Sequence, residues 1–358
     1  MHTAGAMKDR LLGRWMRFRQ QQHYRQMSAT DVLSSIEVIS GSIRKDALSV
    51  CAIVRDEMYF LPSFLEHHRK LGAEQFLILD DGSEDQSRQY LSSQPDCVLL
   101  RSSISYGTRD VLDCYPDGQR SRQRGGLWLK HHLTQNLVDN DYILYLDADE
   151  FLVLPPSYPT LRNLIPKLRQ QRVKTTTASL VELFPASIEA MADQQQPPQN
   201  LTELIERCGY YDHYPLIQHR LLGGVKAVGQ SATTRLFNQA GITSIGLREK
   251  SASAIHKMPL FRKGTDNWLI GSHYCKQKPD RRLILTLLHF KFSPDLYRRV
   301  NMALRVGGHN RNSEKYQQYA ELLQPLQPCP PKSLLGPDSR RYMGAEELLA
   351  CGLMHCRL

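Results

Sequence analysis

The chain has 358 residues, of which 41% are hydrophobic and 23% charged, a balance that supplies a buried core and excludes disorder along the whole length. That length accommodates two domains, or one large α/β domain with additions, and excludes a single small binding module. The 46 Lys and Arg outnumber the 36 Asp and Glu, leaving a formal charge of +10, which favours anionic partners such as nucleotides, phospholipid surfaces or nucleic acid.

The first 25 residues carry Lys8, Arg10, Arg14, Arg17, Arg19 and Arg25 against Asp9 alone. Leu11, Trp15 and Phe18 can share one face of a helix there, so this basic extension, set at 1–45, is expected either to touch an anionic membrane surface or simply to be solvated. No secretory signal and no run of roughly 18 apolar residues is present. The expectation is a cytoplasmic protein, with peripheral contact at the inner face of the cell membrane through the basic segment. The eight cysteines form no C-x-x-C pair, so neither a disulfide framework nor a zinc ribbon is indicated.

From residue 48 strands and helices alternate. Residues 48–54 read as a strand, 61–71 as a helix closed by Gly72, and 75–79 as a second strand, together a right-handed βαβ unit. A helix follows from about Glu84, then a strand at 97–100, a helix near 127–138 and a strand at 142–146. Residues 175–184 give one more strand, 193–200 an exposed insertion, and 221–292 Gly-punctuated hairpins beside the sheet. From Asp295 the chain is helical, and a Pro-rich link at 324–331 leads to a short helical tail. The expected fold is α/β: a doubly wound, mostly parallel sheet with helices on both faces and a smaller β-hairpin and helical C-terminal part. Its domain is placed at 46–325, with the link and tail at 326–358.

The acids fall at the ends of the expected strands. Arg55, Asp56 and Glu57 follow the first, Asp80 and Asp81 the second, and Asp147, Asp149 and Glu150 the strand at 142–146. Ligands of open α/β sheets bind beyond the carboxyl edge, so three clusters there suggest one site. An anionic substrate would be repelled by such a site unless a divalent cation intervened, and Mg²⁺ or Mn²⁺ is usually held by one or two carboxylates plus substrate phosphates. A strand period of two would turn Asp147 and Asp149 to the same face. No G-x-G-x-x-G follows the first strand and no P-loop occurs, which disfavours a dinucleotide dehydrogenase and a P-loop ATPase. A calcium loop opening at Asp147 fails because Leu152 and Tyr158 stand where Gly and Glu are required. An aspartyl phosphatase remains as an alternative, although Phe151 takes the place of its usual hydroxyl residue. Asp-Asp-Gly-Ser by itself also fits a plain turn into a helix.

The run "CAIVRDEMYFLPSFLEHHRKLGAEQFLILDDGSEDQS" and the later "DYILYLDADEFLVLP" resemble the family 2 glycosyltransferases of the GT-A fold, in particular a poorly characterised bacterial branch. "GGVKAVG", "HKMPLFRKG", "GSHY", "LLHFKF" and "SRRYMGAEELLACGLM" resemble that branch's later motifs, so that the likeness spans roughly residues 46–355. The resemblance implies transfer of a sugar from a nucleotide-diphosphate donor to an acceptor hydroxyl with inversion, in cell-surface glycan or lipopolysaccharide assembly. It implies that Asp56, Glu57, Asp80 and Asp81 lie around the donor's base and ribose. Asp147 and Asp149 match the D-x-D, Asp149 as a direct ligand of Mn²⁺ or Mg²⁺ and Asp147 nearer the ribose or a bound water. His289, or failing that His273, would complete the metal shell.

Lys257, Arg262 and Lys291 are candidates to neutralise the leaving diphosphate. An inverting enzyme also needs a carboxylate base, for which Asp212 and Glu182 are candidates; the Glu-Asp pair of better-known members is missing. The histidines at 67, 68, 131 and 132 are assigned surface or packing roles. The acceptor, a glycan or a lipid-linked molecule, is not named by any motif. From another class, a non-catalytic basic module on anionic membrane or nucleic acid remains open, with nucleic acid the weaker partner.

Overall fold

The computed structural model describes residues 32–192, 196–214, 216–220, 224–239, 255–306, 314–323 and 333–358. The basic segment 1–31 and the Pro-rich stretch 324–331 lie outside the described residues. Strands β1 (Ile36–Ser40), β2 (Ser49–Val54), β3 (Gln75–Asp80), β4 (Cys97–Ser102) and β7 (Tyr142–Tyr145) join β14 (Leu260–Arg262) in a six-stranded sheet of order β1-β4-β3-β2-β7-β14. β4, β3, β2 and β7 are parallel, and the edge strands β1 and β14 run antiparallel.

Alternation along each strand explains why this sheet is covered on both faces. Val50, Ala52 and Val54 of β2 join one core with Phe76, Ile78 and Leu144, while Cys51 joins the other with Leu77, Leu79 and Tyr145. Helix α1 (Leu61–Lys70) adds Leu61, Phe64 and Leu65 to the first core. These stand at helical spacing, Pro62 falls in the first turn where its missing N–H is tolerated, and Gly72 at φ 96° ends the helix. A short helix α2 (Ser87–Ser92) follows β3, and α3 (Gly125–Gln135) adds Trp128, Leu129 and Leu133 to the second core. Helices therefore cover both faces, as expected for an α/β sheet.

A second sheet runs β16 (Ser339–Arg341), β10 (Tyr210–Asp212), β9 (Thr177–Phe184), β15 (Leu283–His289) and β17 (His355–Cys356). β13 (His256–Lys257) pairs with β9 and β8 (Glu150–Val153) with β15. Only β9 and β15 are parallel here, so this second sheet is mixed, beside a first sheet that is mostly parallel as expected.

The expected boundaries change accordingly. Residues 36–40, placed in the N-terminal extension, form β1 and pair with β4. The tail is no appendage, since β16 and β17 are strands of the second sheet and helix α10 (Ala345–Ala350) buries Leu348 in the main core.

Sequence reasoning also missed the hairpin β5 (Val111–Cys114) with β6 (Arg120–Gln123), and helices α4 (Leu161–Gln170), α6 (Leu201–Arg207) and α7 (Ala232–Gln239). The hairpin β11 (Leu216–His219) with β12 (Val225–Val228) starts ahead of the 221–292 span expected to hold hairpins, and only β12 falls within it. Short α5 (Glu189–Ala192) precedes α6; α8 (Leu296–Val306) and α9 (Glu314–Leu323) follow β15 in the chain and pack against each other. Among the described residues no helix is long and apolar enough to cross a membrane.

Candidate functional site

After the edge strand β1, the chain starts the parallel part of the first sheet at β2, steps through β3 and β4 to one side, then returns to lay β7 on the other. The crevice beyond the carboxyl ends of β2 and β7 is thus the topological switch point, where open α/β sheets bind ligands. A cavity of about 620 Å³ opens there, lined among others by Arg55, Glu57, Asp81, Tyr106, Asp147, Asp149, Glu182, His273, His289, Lys291 and Arg299. Asp81 and Asp149, 68 positions apart in the chain, share this one space.

Of the acids after β2 and β3, two face the cavity and two hold the loops that frame it. Asp56, at φ 55°, accepts the Glu84 and Asp85 amides through Oδ1 at 2.6 and 3.0 Å, while its own amide donates to Ser83 Oγ at 2.9 Å. Asp80 accepts the Gly82 and Ser83 amides and pairs with Arg88 at 2.5 Å. Both expected donor ligands are instead loop staples, and neither lines the cavity. Asp81 does line it, accepting the Tyr106 amide at 2.7 Å. Burial raises its carboxyl above the usual range against the pull of that amide and of Arg55. Tyr106 reaches this place because Gly126 has no side chain: a Cβ there would stand 2.4 Å from the tyrosine ring. Glu57 lines the cavity with Oε2 buried and without a hydrogen-bond partner among the described residues. Burial pushes its carboxyl up to about 8, Arg299 opposing and Asp149 adding to the rise.

The D-x-D departs from the strand geometry expected of it. β7 ends at Tyr145, and 147–150 form a turn in which the Glu150 amide donates to the Asp147 carbonyl at 3.0 Å. A period of two no longer applies, and the two carboxylates meet different cations. Asp147 pairs with Lys257 Nζ at 2.9 Å and lies 3.6 Å from Lys130 Nζ. Burial would raise its carboxyl, but Lys130 and Lys257 hold it well below the usual range. Asp149 Oδ2 meets Arg299 at 2.7 Å and His289 Nε2 at 3.3 Å. Here too burial is overcome, by Arg299 first and His289 next, and the carboxyl is held far down.

Lys257 lies beneath the cavity rather than in it, 2% exposed and bonded to Glu150 at 2.5 Å as well as to Asp147. It arrives there because β13 of the second sheet runs directly into β14 of the first. Burial works against its charge, yet Asp147 and Glu150 keep it protonated. Its role on this geometry is to neutralise those acids, leaving nothing for a diphosphate. Arg262 is further removed: it stands opposite Tyr142, at the amino end of β7, and pairs with Asp141 at 3.3 Å. Lys291 does line the cavity, its ammonium 5.8 Å from the centre of the Tyr319 ring.

The base candidates separate in the same way. Asp212 is saturated by Arg235 at 2.7 and 3.2 Å and by Ser339 Oγ at 2.6 Å, outside the cavity lining. Glu182 lines the cavity, fixed by the Thr233 amide and hydroxyl at 2.7 and 2.8 Å in the first turn of α7. In the second sheet Glu150, His289 and Glu182 stand side by side on three neighbouring strands.

Among the described residues no group of three or more His, Cys, Asp or Glu forms a metal cage. The expected metal residues, Asp149 and Asp147 with His289 or alternatively His273, therefore do not form such a cage. Asp147 is committed to lysines, and His273 Nδ1 bonds the His256 carbonyl at 3.0 Å while burial lowers its imidazole to about 4. Asp149 and His289 remain as a converging pair, with His289 Nδ1 unpartnered among the described residues. Two protein ligands suffice for a divalent cation that takes its other ligands from substrate phosphates.

Arg299 and Lys130 were absent from the sequence-based site. Lys130 carries a faint signal, a lone cation among the buried Trp128, Leu129 and Leu133 of α3, with its ammonium 4.7 Å from the Tyr145 ring centre. Arg299 carries none, since only the packing of α8 brings it to Asp149. His68, His131 and His132 are buried in packing contacts, as expected. No family model matches the chain, and no curated protein matches it either.

Proposed function

We propose that the protein is a metal-dependent inverting glycosyltransferase of GT-A type, moving a sugar from a nucleoside-diphosphate donor to an acceptor hydroxyl in cell-surface glycan or lipopolysaccharide assembly. The observation that carries this reading is the switch-point cavity of about 620 Å³, in which Asp81 and Asp149 share walls with His289, Lys291 and Arg299. Pockets of that size hold nucleotide-sized ligands. The parallel order β4-β3-β2-β7, continued by antiparallel β14 and a second mixed sheet, supports the GT-A assignment beside the resemblance of its motifs.

In this reading the residues divide the work by charge. Asp81, positioned by the Tyr106 amide, accepts hydrogen bonds from the donor's base or ribose. Glu57 keeps its proton at neutral pH and so adds no negative charge beside a diphosphate. Lys291 and Arg299 supply positive charge for the leaving group. Glu182, held by Thr233 through two of its several acceptor sites, takes the proton of the acceptor hydroxyl. A divalent cation on Asp149 and His289 would supply further compensation for the charge growing on the diphosphate. The protein would work in the cytoplasm, its basic N-terminus against the anionic inner face of the membrane.

Binding of UDP- and GDP-sugars, followed by thermal stabilisation with and without Mn²⁺, tests the reading. At least one donor should bind only with Mn²⁺, and Asp149→Asn should weaken that binding at least ten-fold. Metal-independent binding unchanged in Asp149→Asn would reject it. Phosphorylation of Asp147 by a phosphate ester, seen by intact mass, would favour the aspartyl phosphatase instead.

A further inference from the structure

Arg299 occupies the carboxylate through which a cation would be held. It lies on the first turns of α8, 11% exposed, with its guanidinium on Asp149 Oδ2 at 2.7 Å and 5.6 Å from the Phe60 ring centre. The same Oδ2 is the atom that faces His289 Nε2. A dication entering between Asp149 and His289 would need that oxygen, and two cations cannot share it closely without strong repulsion in a poorly solvated site.

What makes an exchange feasible is the separate anchoring of the helix. The adjacent Arg298 grips Asp295 with two bonds of 2.6 and 2.7 Å and also donates to the Asp56 carbonyl. The start of α8 is therefore fixed to the loop after β2 without help from Arg299, whose long side chain can change rotamer while the helix stays in place. A second observation points to a ligand here: Glu57 Oε2, buried without a partner among the described residues, lines the same cavity.

We infer that Arg299 and a divalent cation are alternative occupants of Asp149, and that the displaced guanidinium becomes a cation for the donor's diphosphate. The inference rests on the glycosyltransferase reading and adds a regulation of that site: metal binding without nucleotide is held weak, and nucleotide binding strengthens it. Metal and nucleoside diphosphate then bind with positive coupling, reciprocal by linkage.

The test uses the full chain and reads binding rather than turnover. Mn²⁺ alone is titrated by electron paramagnetic resonance, and UDP and GDP are titrated by calorimetry at saturating Mn²⁺. Arg299→Met should bind Mn²⁺ at least ten-fold more tightly than the wild type and the diphosphate at least ten-fold more weakly. Arg299→Lys keeps a charge but not the planar fork, so its Mn²⁺ affinity should rise by a smaller factor, about three-fold. This variant carries the test if the Met variant does not fold. Mn²⁺ affinity unchanged or weakened in the variants, with wild-type metal and nucleotide binding intact, overturns the competition while leaving the glycosyltransferase reading standing. Absence of both Mn²⁺ and diphosphate binding in the wild type overturns the function itself.

Discussion

Lys257→Met isolates the charge arrangement beneath the cavity. The Lys257 and Glu150 side chains are each 2% exposed and meet at 2.5 Å, and the same ammonium meets Asp147 at 2.9 Å. Methionine preserves much of the apolar stem but removes the charge, leaving Glu150 buried and uncompensated. Breaking a buried pair in this way costs about 3–5 kcal/mol. Lys130, 3.6 Å from Asp147, still compensates that second acid, which places the expected loss towards the lower figure. Removing the stranded charge as well should reverse part of the effect, so Lys257→Met/Glu150→Gln should be more stable than Lys257→Met by about 1 kcal/mol or more. Equilibrium unfolding in urea, compared across the wild type, both single variants and the double, gives the coupling directly. A Lys257→Met loss below about 1 kcal/mol, or a double variant no more stable than the single, would refute the argument that this lysine exists to neutralise the two acids.

Two other substitutions separate structural acids from functional ones. Glu57 has its carboxyl pushed up from 4.5 to about 8, so the stability it contributes is fully present below 4.5 and is lost as pH rises through 8, at no more than about 1.4 kcal/mol per pH unit. Relative to Glu57→Gln, the wild type should lose stability steadily between those limits and then level off; denaturation curves from pH 5 to 9 that run parallel would contradict this. Asp212→Asn strips the buried Arg235 of its charge partner and should destabilise the fold by about 3 kcal/mol while donor binding and turnover of the folded fraction persist. A stable but inactive Asp212→Asn would restore Asp212 as the base.

The strand ends and their acids were legible from sequence because burial on both faces of a parallel strand writes an unbroken apolar run, bounded where the chain turns. β2 and β3 fall within a residue or so of the expected segments for this reason. The short strands and helices of the middle were not, since β8 is only four residues long and owes its strand conformation to pairing with β15, a partner more than 130 positions away. Local propensity carries no trace of such a partner.

The sequence alone pointed to which carboxylates stand at the carboxyl edge and to a covered α/β sheet that would carry them, while the strand order that opens a crevice between β2 and β7 came from the tertiary structure. Only the tertiary structure decided what each acid does there. Asp56 spends itself on backbone amides, Asp80 on backbone amides and Arg88, Asp212 on an arginine, Asp147 on two lysines, and Asp149 on a histidine and an arginine from a helix 150 positions away. A carboxylate's position follows from its own strand, but its charge is answered by whichever cation the packing of distant elements brings within about 4 Å. One-dimensional order does not encode that.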